Sequence, residues 1–251
     1  MSFHDPQSEV SRLNRFAEDT RVSVSPATYH VLTRAKELYE RTRGLFDITV
    51  AAELIEGGLL PRHAFLSRFQ DYGGSMEDIE LLSGGQVHFA RPLCIDLGGI
   101  AKGFAVDQAV QVLQEKGIRN GLVNAGGDMR CFGPKEQAVW VKHPRNPAQL
   151  LPLPALKNRA LATSANSYEG PHPSVCPQIH GQMRKPLRRA FSVSVCADCC
   201  LIADALTKVV LALEQESTEI LSEFNAAGFI VYPDNRVMCC EEKEGLYAKK
   251  K

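Results

Sequence analysis

The sequence predicts an α+β fold, with mixed sheets and packed helices, and three observations lead to it. Segments with helical and with extended patterning are interleaved along the 251 residues, without the regular alternation of βαβ units. The composition, 44% hydrophobic and 23% charged, is ordinary for a globular protein with a sizeable core. Neither an internal repeat nor a long linker divides the chain. We therefore predict one domain over residues 1–251.

Three segments have the apolar spacing of amphipathic helices, residues 26–43, 101–116 and 201–213. The first has Pro26 near its start and Gly44 just after its end, which are typical helix boundaries. Each apolar set predicts the face of its helix that packs on the core. These sets are Tyr29, Leu32, Ala35 and Tyr39, then Ala105, Ala109, Val112 and Leu113, then Ile202, Ala205, Leu206, Val209 and Leu213.

Strands are predicted where short apolar or alternating runs end at turn residues. They are a buried strand that runs into a glycine turn at 121–127, the segments 138–143, 191–195 and 228–232, and a short extended segment at 46–50. Residues 57–74 mix helical and loop signals, and the stretch from there to His88 is predicted to be strand and turn.

The charge balance excludes some partners. Twenty-nine basic residues match 29 acidic ones, so no overall field attracts nucleic acid or an anionic membrane surface. No apolar run approaches the roughly 20 residues of a transmembrane helix. We therefore expect no nucleic acid partner and no transmembrane segment, and any charged ligand must be argued from local sites.

The cysteines predict free thiols rather than a disulfide framework. There are eight, and they include the adjacent pairs Cys199–Cys200 and Cys239–Cys240. Cys196 and Cys199 form a CxxC pair, which is also a zinc-binding pattern, but no second CxxC or histidine pair follows at zinc spacing. Free thiols, mostly buried, are the preferred interpretation.

Two glycine turns carry the strongest functional signal. CIDLGGIAKGFAVD at 94–107 passes from a strand end through Gly98 and Gly99 into a helix, and NAGGD at 124–128 ends another apolar strand. Glycine lets the backbone approach a ligand, and amides at a helix start attract phosphate. Two such turns favour an anionic or nucleotide ligand held by backbone. The alternative is that Asp96 caps a helix and the glycines only make a tight turn.

These motifs resemble the ApbE-type FAD:protein FMN transferases. IDLGGIAKGFAVD followed by LVNAGGDMRCFG is similar to the central signature of that family. The resemblance continues, in the family's order, through SFHDPQSEVSRLNR, RGLFDITV, LATSANSYEG and IADALTKVV. It spans nearly the whole chain, and its central motif is long enough to be specific.

The resemblance implies a reaction. Such enzymes bind FAD with Mg²⁺ at the diphosphate, and a Thr or Ser hydroxyl of an acceptor flavoprotein attacks phosphorus. FMN is left in a phosphoester bond and AMP is released. Two alternatives stay open: an FAD pyrophosphatase in which water replaces the hydroxyl, and a flavin-binding or carrier protein without transferase activity.

The resemblance also implies site residues, carried over by position. The catalytic residues are Asp204 and Thr207, and these two with the Gly99 carbonyl are the implied Mg²⁺ ligands. The residues implied to contact FAD are His4, Leu45, Phe46, Asp47, Asp96, Lys102 and Ile179. A carboxylate, a hydroxyl and a carbonyl suit Mg²⁺, and the i, i+3 spacing of Asp204 and Thr207 puts both on one helix face. The alternative for Asp204 is a carboxylate stabilised by the helix dipole.

This chain departs from the family pattern at three places. Lys208 stands where members carry a second hydroxyl or acid, so a lysine there weakens a metal site or replaces part of its charge. PQIHGQMR at 177–184 stands where the family has His-Ile-Ile-Asp-Pro-x-Thr-Gly, which puts His180 in place of the aspartate. His4 replaces a tyrosine of the flavin pocket. His180 is interpreted either as a structural residue or as a ligand contact.

The N-terminus leaves the location of the protein open. Family members have a strand and a helix before the serine-rich loop, whereas Met1 falls almost on that loop. As written, the first ten residues contain no apolar signal-peptide core, and this predicts a cytoplasmic protein. If the start is truncated, a periplasmic or membrane-anchored protein is expected instead.

Overall fold

The computed structural model describes residues 1–66, 73–165, 178–187 and 191–241. Helices are combined with antiparallel sheets, so the predicted α+β class is confirmed. The chain forms two compact units, unit 1 with Met1–Ala101 and Ser174–Leu187, and unit 2 with Lys102–Pro173 and Arg188–Lys251. The single domain predicted for residues 1–251 stays a prediction.

The elements are numbered in chain order. The helices are α1 Glu9–Phe16, α2 Pro26–Arg41, α3 Ala51–Glu56, α4 Ala101–Glu115, α5 Cys200–Leu213 and α6 Thr218–Glu223. The strands are β1 Val22–Ser23, β2 Ile79–Leu82, β3 Gln86–Phe89, β4 Gly121–Ala125, β5 Asp128–Phe132, β6 Gln137–Lys142, β7 Leu150–Leu156, β8 Ala160–Ala165, β9 Ile179–His180, β10 Lys185–Pro186, β11 Ser192–Ala197, β12 Ala227–Val231 and β13 Val237–Cys240. Short 3-10 turns lie at Met76–Asp78 and Glu214–Ser217.

Unit 1 is mainly helical and holds two small antiparallel sheets. One has the strand order β1-β3-β2, and the other is the β9–β10 pair. The SRLNR segment of the predicted serine-rich loop is helical in α1 and supplies Asn14. The Asn14 amide donates to the Ile95 carbonyl at 2.9 Å and accepts from the Ile95 N–H at 2.8 Å. This pair of bonds fixes the backbone immediately before Asp96.

Unit 2 is built on an antiparallel sheet of six strands in the order β13-β12-β11-β8-β5-β4. Helix α5 packs against β8 and β11. All but three of its 14 residues are buried, because its sequence, CLIADALTKVVLAL, is apolar almost all round. β6 and β7 form a separate hairpin, and its Val139, Val141 and Leu156 join the apolar cluster on the sheet.

Helix α4 is held close to α5 by a glycine. The Gly103 N–H donates to Asp204 Oδ2 at 3.3 Å. A Cβ at Gly103 would overlap the Cys200 carbonyl oxygen, so only glycine lets the two backbones lie this close. Gly103 of the central motif is therefore required by the packing of these two helices.

Three expectations about local structure were wrong. Residues 46–50 form bends and a turn before α3 rather than an extended segment, because Asp47 Oδ1 accepts from both the N–H and the hydroxyl of Thr49. β4 is an edge strand and only half-buried. In α4 the buried face carries Phe104, Val106 and Val110, whereas Val112 is 52% exposed.

Seven of the eight cysteines lie in the described residues, and all seven are free thiols. Five of them are buried, which confirms the prediction of mostly buried free thiols. Within the described residues, no helix combines the length and the apolar character that a membrane crossing requires.

Candidate active site

Asp204 is the centre of a polar cluster in unit 2. It lies in the second turn of α5 and is 2% exposed. Its Oδ2 accepts from Gly103 N–H, and its Oδ1 lies 2.7 Å from Lys208 Nζ, one turn further along α5. The Lys208 ammonium also donates to the Asp204 carbonyl at 3.0 Å. Asp204 is therefore a carboxylate already paired with an ammonium.

The N-terminus of α5 is capped by another residue. Asp107 accepts from the N–H groups of Cys200 and Leu201, both at 2.9 Å, and pairs with Arg130 at 2.8 Å. Cys199 precedes the helix and offers no side-chain cap of its own. Asp107 thus has the role that the alternative interpretation gave to Asp204, since a carboxylate stabilises free amides only in the first turn.

Thr207 is buried beneath the cluster. Its hydroxyl donates to the Asp204 carbonyl at 2.6 Å and lies 2.9 Å from Ser164 Oγ of β8. Because the Thr207 proton goes to the carbonyl, Ser164 is the donor in the second bond. Thr207 therefore ties α5 to the sheet, and no part of its surface is exposed.

A second carboxylate and ammonium pair lies in the same unit. The Asp128 side chain is 1% exposed, and its Oδ2 lies 2.8 Å from Nζ of Lys102, which is 45% exposed. Burial raises the pKa of Asp128, and the Asp204 carboxylate adds to this while Lys102 opposes it. For Lys102, burial lowers the pKa, but Asp128 outweighs it and the pKa is raised overall. The ammonium is thus held in its charged form.

The NAGGD turn supplies Asp128 rather than a backbone nest. Gly126 and Gly127 have φ of 65° and 103° and connect β4 to β5 as a two-residue hairpin. Both φ values are positive, as favoured hairpin turns require. Asp128 follows directly and is directed to Lys102. The two glycine motifs therefore meet through side chains, as the Lys102–Asp128 pair.

The oxygen atoms of this cluster do not fit Mg²⁺ as they stand. Mg²⁺ takes hard oxygen ligands with a surplus of negative charge. Each oxygen of Asp204 already accepts from a donor, and Thr207 is bonded to protein on both sides. Among the residues that the structure describes, no three His, Cys, Asp or Glu side chains come together in a way that holds a metal. Gly99, the third implied ligand, lies in unit 1 in the turn before α4 and is partly exposed.

Unit 1 contains a second polar cluster, around Arg184. The guanidinium donates to the Thr49 carbonyl and to Glu53 Oε1, both at 2.6 Å, and to the Thr49 hydroxyl at 2.9 Å. It also lies 3.4 Å from Asp47 Oδ2. Burial raises the pKa of Asp47, against the lowering effects of Thr49 and Arg184. Asp47 is thus a buried acid next to a cation.

An open cleft of about 370 Å³ adjoins this cluster. Tyr39, Gly44, Asp47 and Arg184 are among the residues that line it. Leu45 and Phe46, which the resemblance places in the flavin site, are 7% and 4% exposed and belong to the core of the unit. Of these three neighbours, Asp47 is the one that lines the cleft.

Asp96 closes its own turn. Its Oδ2 accepts from the Gly98 N–H at 3.0 Å, and its backbone N–H donates to the Ile48 carbonyl at 2.8 Å. The residue is partly exposed, so its carboxylate can also reach a ligand. The bond from Gly98 closes a tight turn before α4 begins at Ala101, and the contact of Asp96 with FAD stays a prediction.

Ile179 and His180 form the strand next to the Arg184 cluster, and the His180 carbonyl accepts from the Arg184 N–H at 2.8 Å. Ile179 is buried in β9, where it pairs with Pro186. His180 is buried and its Nδ1 accepts from the Met183 N–H at 3.2 Å, while burial lowers the pKa of the ring. These contacts favour the structural interpretation of His180. His4 is exposed in a turn, and Tyr168 of the LATSANSYEG segment lies outside the described residues.

Sequence reasoning missed several residues that build these clusters. Asp128, Asp107 and Arg184 each carry a buried or half-buried ion pair. Asp107 ends the central motif and Asp128 ends the NAGGD turn, so an acid at the end of each motif was a usable signal. Arg184 lies far along the chain from Asp47 and Glu53, and no sequence pattern linked them.

Comparisons with known proteins agree with the resemblance. The model of the ApbE family matches residues 1–230. The FAD:protein FMN transferase of Vibrio cholerae serotype O1 is 28% identical over 243 residues, which cover 90% of this chain and 72% of that protein. That of Rhodobacter capsulatus is 26% identical, and the match covers 90% of this chain but only 46% of that protein. The crystal structure of the ApbE protein of Thermotoga maritima superimposes with a TM-score of 0.82 at 26% identity, covering 99% of this chain and 86% of that one.

Proposed function

The chain belongs to the ApbE family, and on that premise we propose that it transfers FMN from FAD to a Thr or Ser hydroxyl of an acceptor flavoprotein, releasing AMP. The observation that carries the proposal is the polar cluster of unit 2. Two buried carboxylates, Asp128 and Asp204, each hold a lysine ammonium that retains some exposure. Such ammonium groups are suited to the oxygens of a diphosphate.

The proposed reaction is a phosphoryl transfer. The acceptor hydroxyl oxygen forms a bond to the phosphorus on the riboflavin side, and the bond from that phosphorus to the bridging oxygen breaks. The bonding electron pair leaves with AMP, and the hydroxyl proton is released. Catalysis of such a step consists mostly of positioning and of stabilising charge on the oxygens.

In this proposal the two lysines of the polar cluster contact phosphate oxygens. Lys102 neutralises phosphate oxygens, with Asp128 fixing its ammonium. Asp204 fixes the ammonium of Lys208 in the same way, and Thr207 holds the backbone of that turn against β8 through Ser164. Positive charge placed in advance where negative charge develops lowers the barrier without reorganisation.

The flavin contacts of the proposal come from the family resemblance. Asp47 lines the cleft and offers a carboxylate to polar ring atoms, and Asp96 does the same from its turn. Leu45, Phe46 and Ile179 supply apolar support from the core, and these roles come from the family resemblance. His4 is exposed, so a contact with the flavin is open to it.

The resemblance also implies Mg²⁺ for this reaction, bound by Gly99, Asp204 and Thr207. The donor atoms of unit 2 do not fit that ion, because the Asp204 oxygens already accept hydrogen bonds and the charge of Asp204 is balanced by Lys208. No step of the proposed reaction is therefore assigned to a metal.

Binding of FAD without transfer is the second candidate function. The ammonium of Lys208 on Asp204 favours it, since this pair takes up the carboxylate that the family assigns to the metal. A pyrophosphatase, in which water replaces the acceptor hydroxyl, is a variant of the first candidate. All three bind FAD, so the products distinguish them.

Release of AMP separates these functions. Purified protein is incubated with FAD labelled in the adenine ring, with and without a threonine-containing acceptor protein, and AMP is measured by chromatography. We expect AMP from the wild type and far less from Lys102→Met, with Lys116→Met, an exposed lysine at the other end of the same helical segment, as the matched control. Tight FAD binding with no AMP from any sample contradicts the transfer and supports the carrier.

A further inference from the structure

Lys208 is fixed on the carboxylate one turn before it in α5. Its Nζ lies 2.7 Å from Asp204 Oδ1 and donates to the Asp204 carbonyl at 3.0 Å. The Lys208 side chain is 17% exposed and the Asp204 side chain 3%. Two acceptors from one buried residue hold the ammonium in one place. This differs from a surface ion pair, which is solvated and contributes little.

Every oxygen of Asp204 already accepts a hydrogen bond. Asp204 Oδ2 accepts from the Gly103 N–H, and the Asp204 carbonyl accepts from the Thr207 hydroxyl as well as from Lys208. A divalent ion that takes Asp204 Oδ1 would displace the ammonium. The displaced lysine would then have to leave a place in which it is largely buried.

The charges of the cluster are already balanced. Asp204 is paired with Lys208, and Asp128 is paired with Lys102 at 2.8 Å. Two carboxylates and two ammonium groups sum to zero, whereas a Mg²⁺ site in a protein needs carboxylate oxygens that carry excess negative charge. Lys208 thus takes the position and the sign of charge that a cation would have.

We propose that the Lys208 ammonium replaces the divalent cation in this chain, and that Lys208 and Lys102 meet the phosphate oxygens of a flavin nucleotide without a metal. The nucleotide as ligand rests on the function proposed above. A lysine ammonium has three N–H donors, and two of those of Lys208 are directed at Asp204. The third serves a phosphate oxygen as a point charge.

Binding of Mn²⁺ to the protein without flavin tests this replacement. The free and bound ion are measured by electron paramagnetic resonance for the wild type, Lys208→Ser and Lys208→Arg. Lys208→Ser removes the charge and adds a hydroxyl, so it is expected to bind Mn²⁺ about ten-fold more tightly or better. Lys208→Arg keeps the charge and is expected to bind as poorly as the wild type. A wild type that binds Mn²⁺ as tightly as Lys208→Ser overturns the proposal.

Affinity for FAD supplies a second measurement, on the wild type alone, in case Lys208→Ser does not fold. FAD binding is followed by flavin fluorescence in excess EDTA and in excess Mg²⁺. We expect the two dissociation constants to agree within about a factor of two, because the charge that meets the phosphates belongs to the protein. A loss of about ten-fold in EDTA that Mg²⁺ restores overturns the proposal. AMP release is read separately, so a failure of the transfer is distinguishable from a failure of this inference.

Discussion

Asp128 Oδ2 lies 2.8 Å from Lys102 Nζ, and this ion pair joins the two glycine motifs of the sequence through their side chains. The carboxylate is buried and the ammonium is about half-exposed, so the pair presents positive charge outward. Asp128 already holds the Lys102 ammonium in place, so binding of a phosphate costs this side chain little conformational entropy.

Lys102→Met should weaken FAD more than riboflavin. Only FAD carries phosphates, and loss of a charge-assisted contact costs about 1.5 to 3 kcal/mol, which is roughly a ten-fold rise or more in the dissociation constant. Fluorescence titration of both ligands measures the difference. Equal losses for FAD and riboflavin would move Lys102 to the ring end of the site, and Lys116→Met serves as the control.

The ion pair of Lys102 and Asp128 should also contribute to the free energy of unfolding. Lys102→Met leaves the Asp128 carboxylate buried without its cation, and the free energy of unfolding should fall by about 1 to 3 kcal/mol. Lys102→Met combined with Asp128→Asn should recover part of that loss, because the neutral amide costs less to bury. Urea unfolding measures all three proteins. A double variant no more stable than Lys102→Met is inconsistent with a paired carboxylate.

Asp47 predicts a dependence of stability on pH. Burial raises its folded-state pKa above the ordinary value of 3.8. The folded protein then holds a proton more tightly than the unfolded chain, so the contribution of Asp47 is full below pH 3.8 and is lost as the pH rises through the folded pKa. The stability of the wild type relative to Asp47→Asn should therefore increase on acidification from neutral pH.

Urea unfolding of wild type and Asp47→Asn at a series of pH values measures that difference. The opposite slope, with the wild type gaining on the variant as the pH rises, would mean that Arg184 and Thr49 outweigh burial. The pKa of Asp47 would then lie below its ordinary value.

Gly103→Ala should destabilise the protein through helix packing. The new Cβ would overlap the Cys200 carbonyl, which is backbone and cannot rotate away, so α4 and α5 must move apart. Overpacking of this kind costs about 1 to 3 kcal/mol. Thermal unfolding measures it, with Ala105→Ser on the exposed side of α4 as the control. A variant as stable as the control would show that the helices separate without cost.

Asp107→Asn should loosen the start of α5. The carboxylate serves the N–H groups of Cys200 and Leu201 and the Arg130 guanidinium, and one amide oxygen cannot serve them all. Loss of such a cap costs about 1 to 2 kcal/mol. Hydrogen exchange at the Cys200 and Leu201 amides should become faster, while Asp234→Asn, at an exposed turn, should leave their exchange unchanged. Unaltered exchange in Asp107→Asn would rule out the cap.

The sequence predicted where helices and strands lie better than it predicted which of their faces are buried. Helix α5 and strand β12 lie where their patterns predict, because long apolar runs have one stable place in a core. The half-buried β4 was mispredicted, since position at the edge of a sheet depends on strand order, which local pattern does not contain. The exposed Val112 was mispredicted because apolar spacing does not show which side of α4 packs on the core.

Some residues and contacts of the candidate site could also be predicted from the sequence, and others could not. Asp204 and Lys102 were found from motifs, and Lys208 was noted as a departure. That Lys208 binds Asp204 follows from the i, i+4 spacing and was available from the sequence. The pairing of Lys102 with Asp128 could not be predicted from the sequence, because it depends on how β5 folds back from its hairpin.

Transfer of FMN is the central claim, and one measurement tests it most directly. The protein is incubated with FAD and a protein extract from cells that carry its gene, and two products are quantified together, AMP in solution and flavin that stays on protein in a denaturing gel. The account predicts equal amounts of both, and the loss of both in Lys102→Met. AMP without protein-bound flavin would identify a pyrophosphatase, and FAD bound with neither product would contradict the transfer.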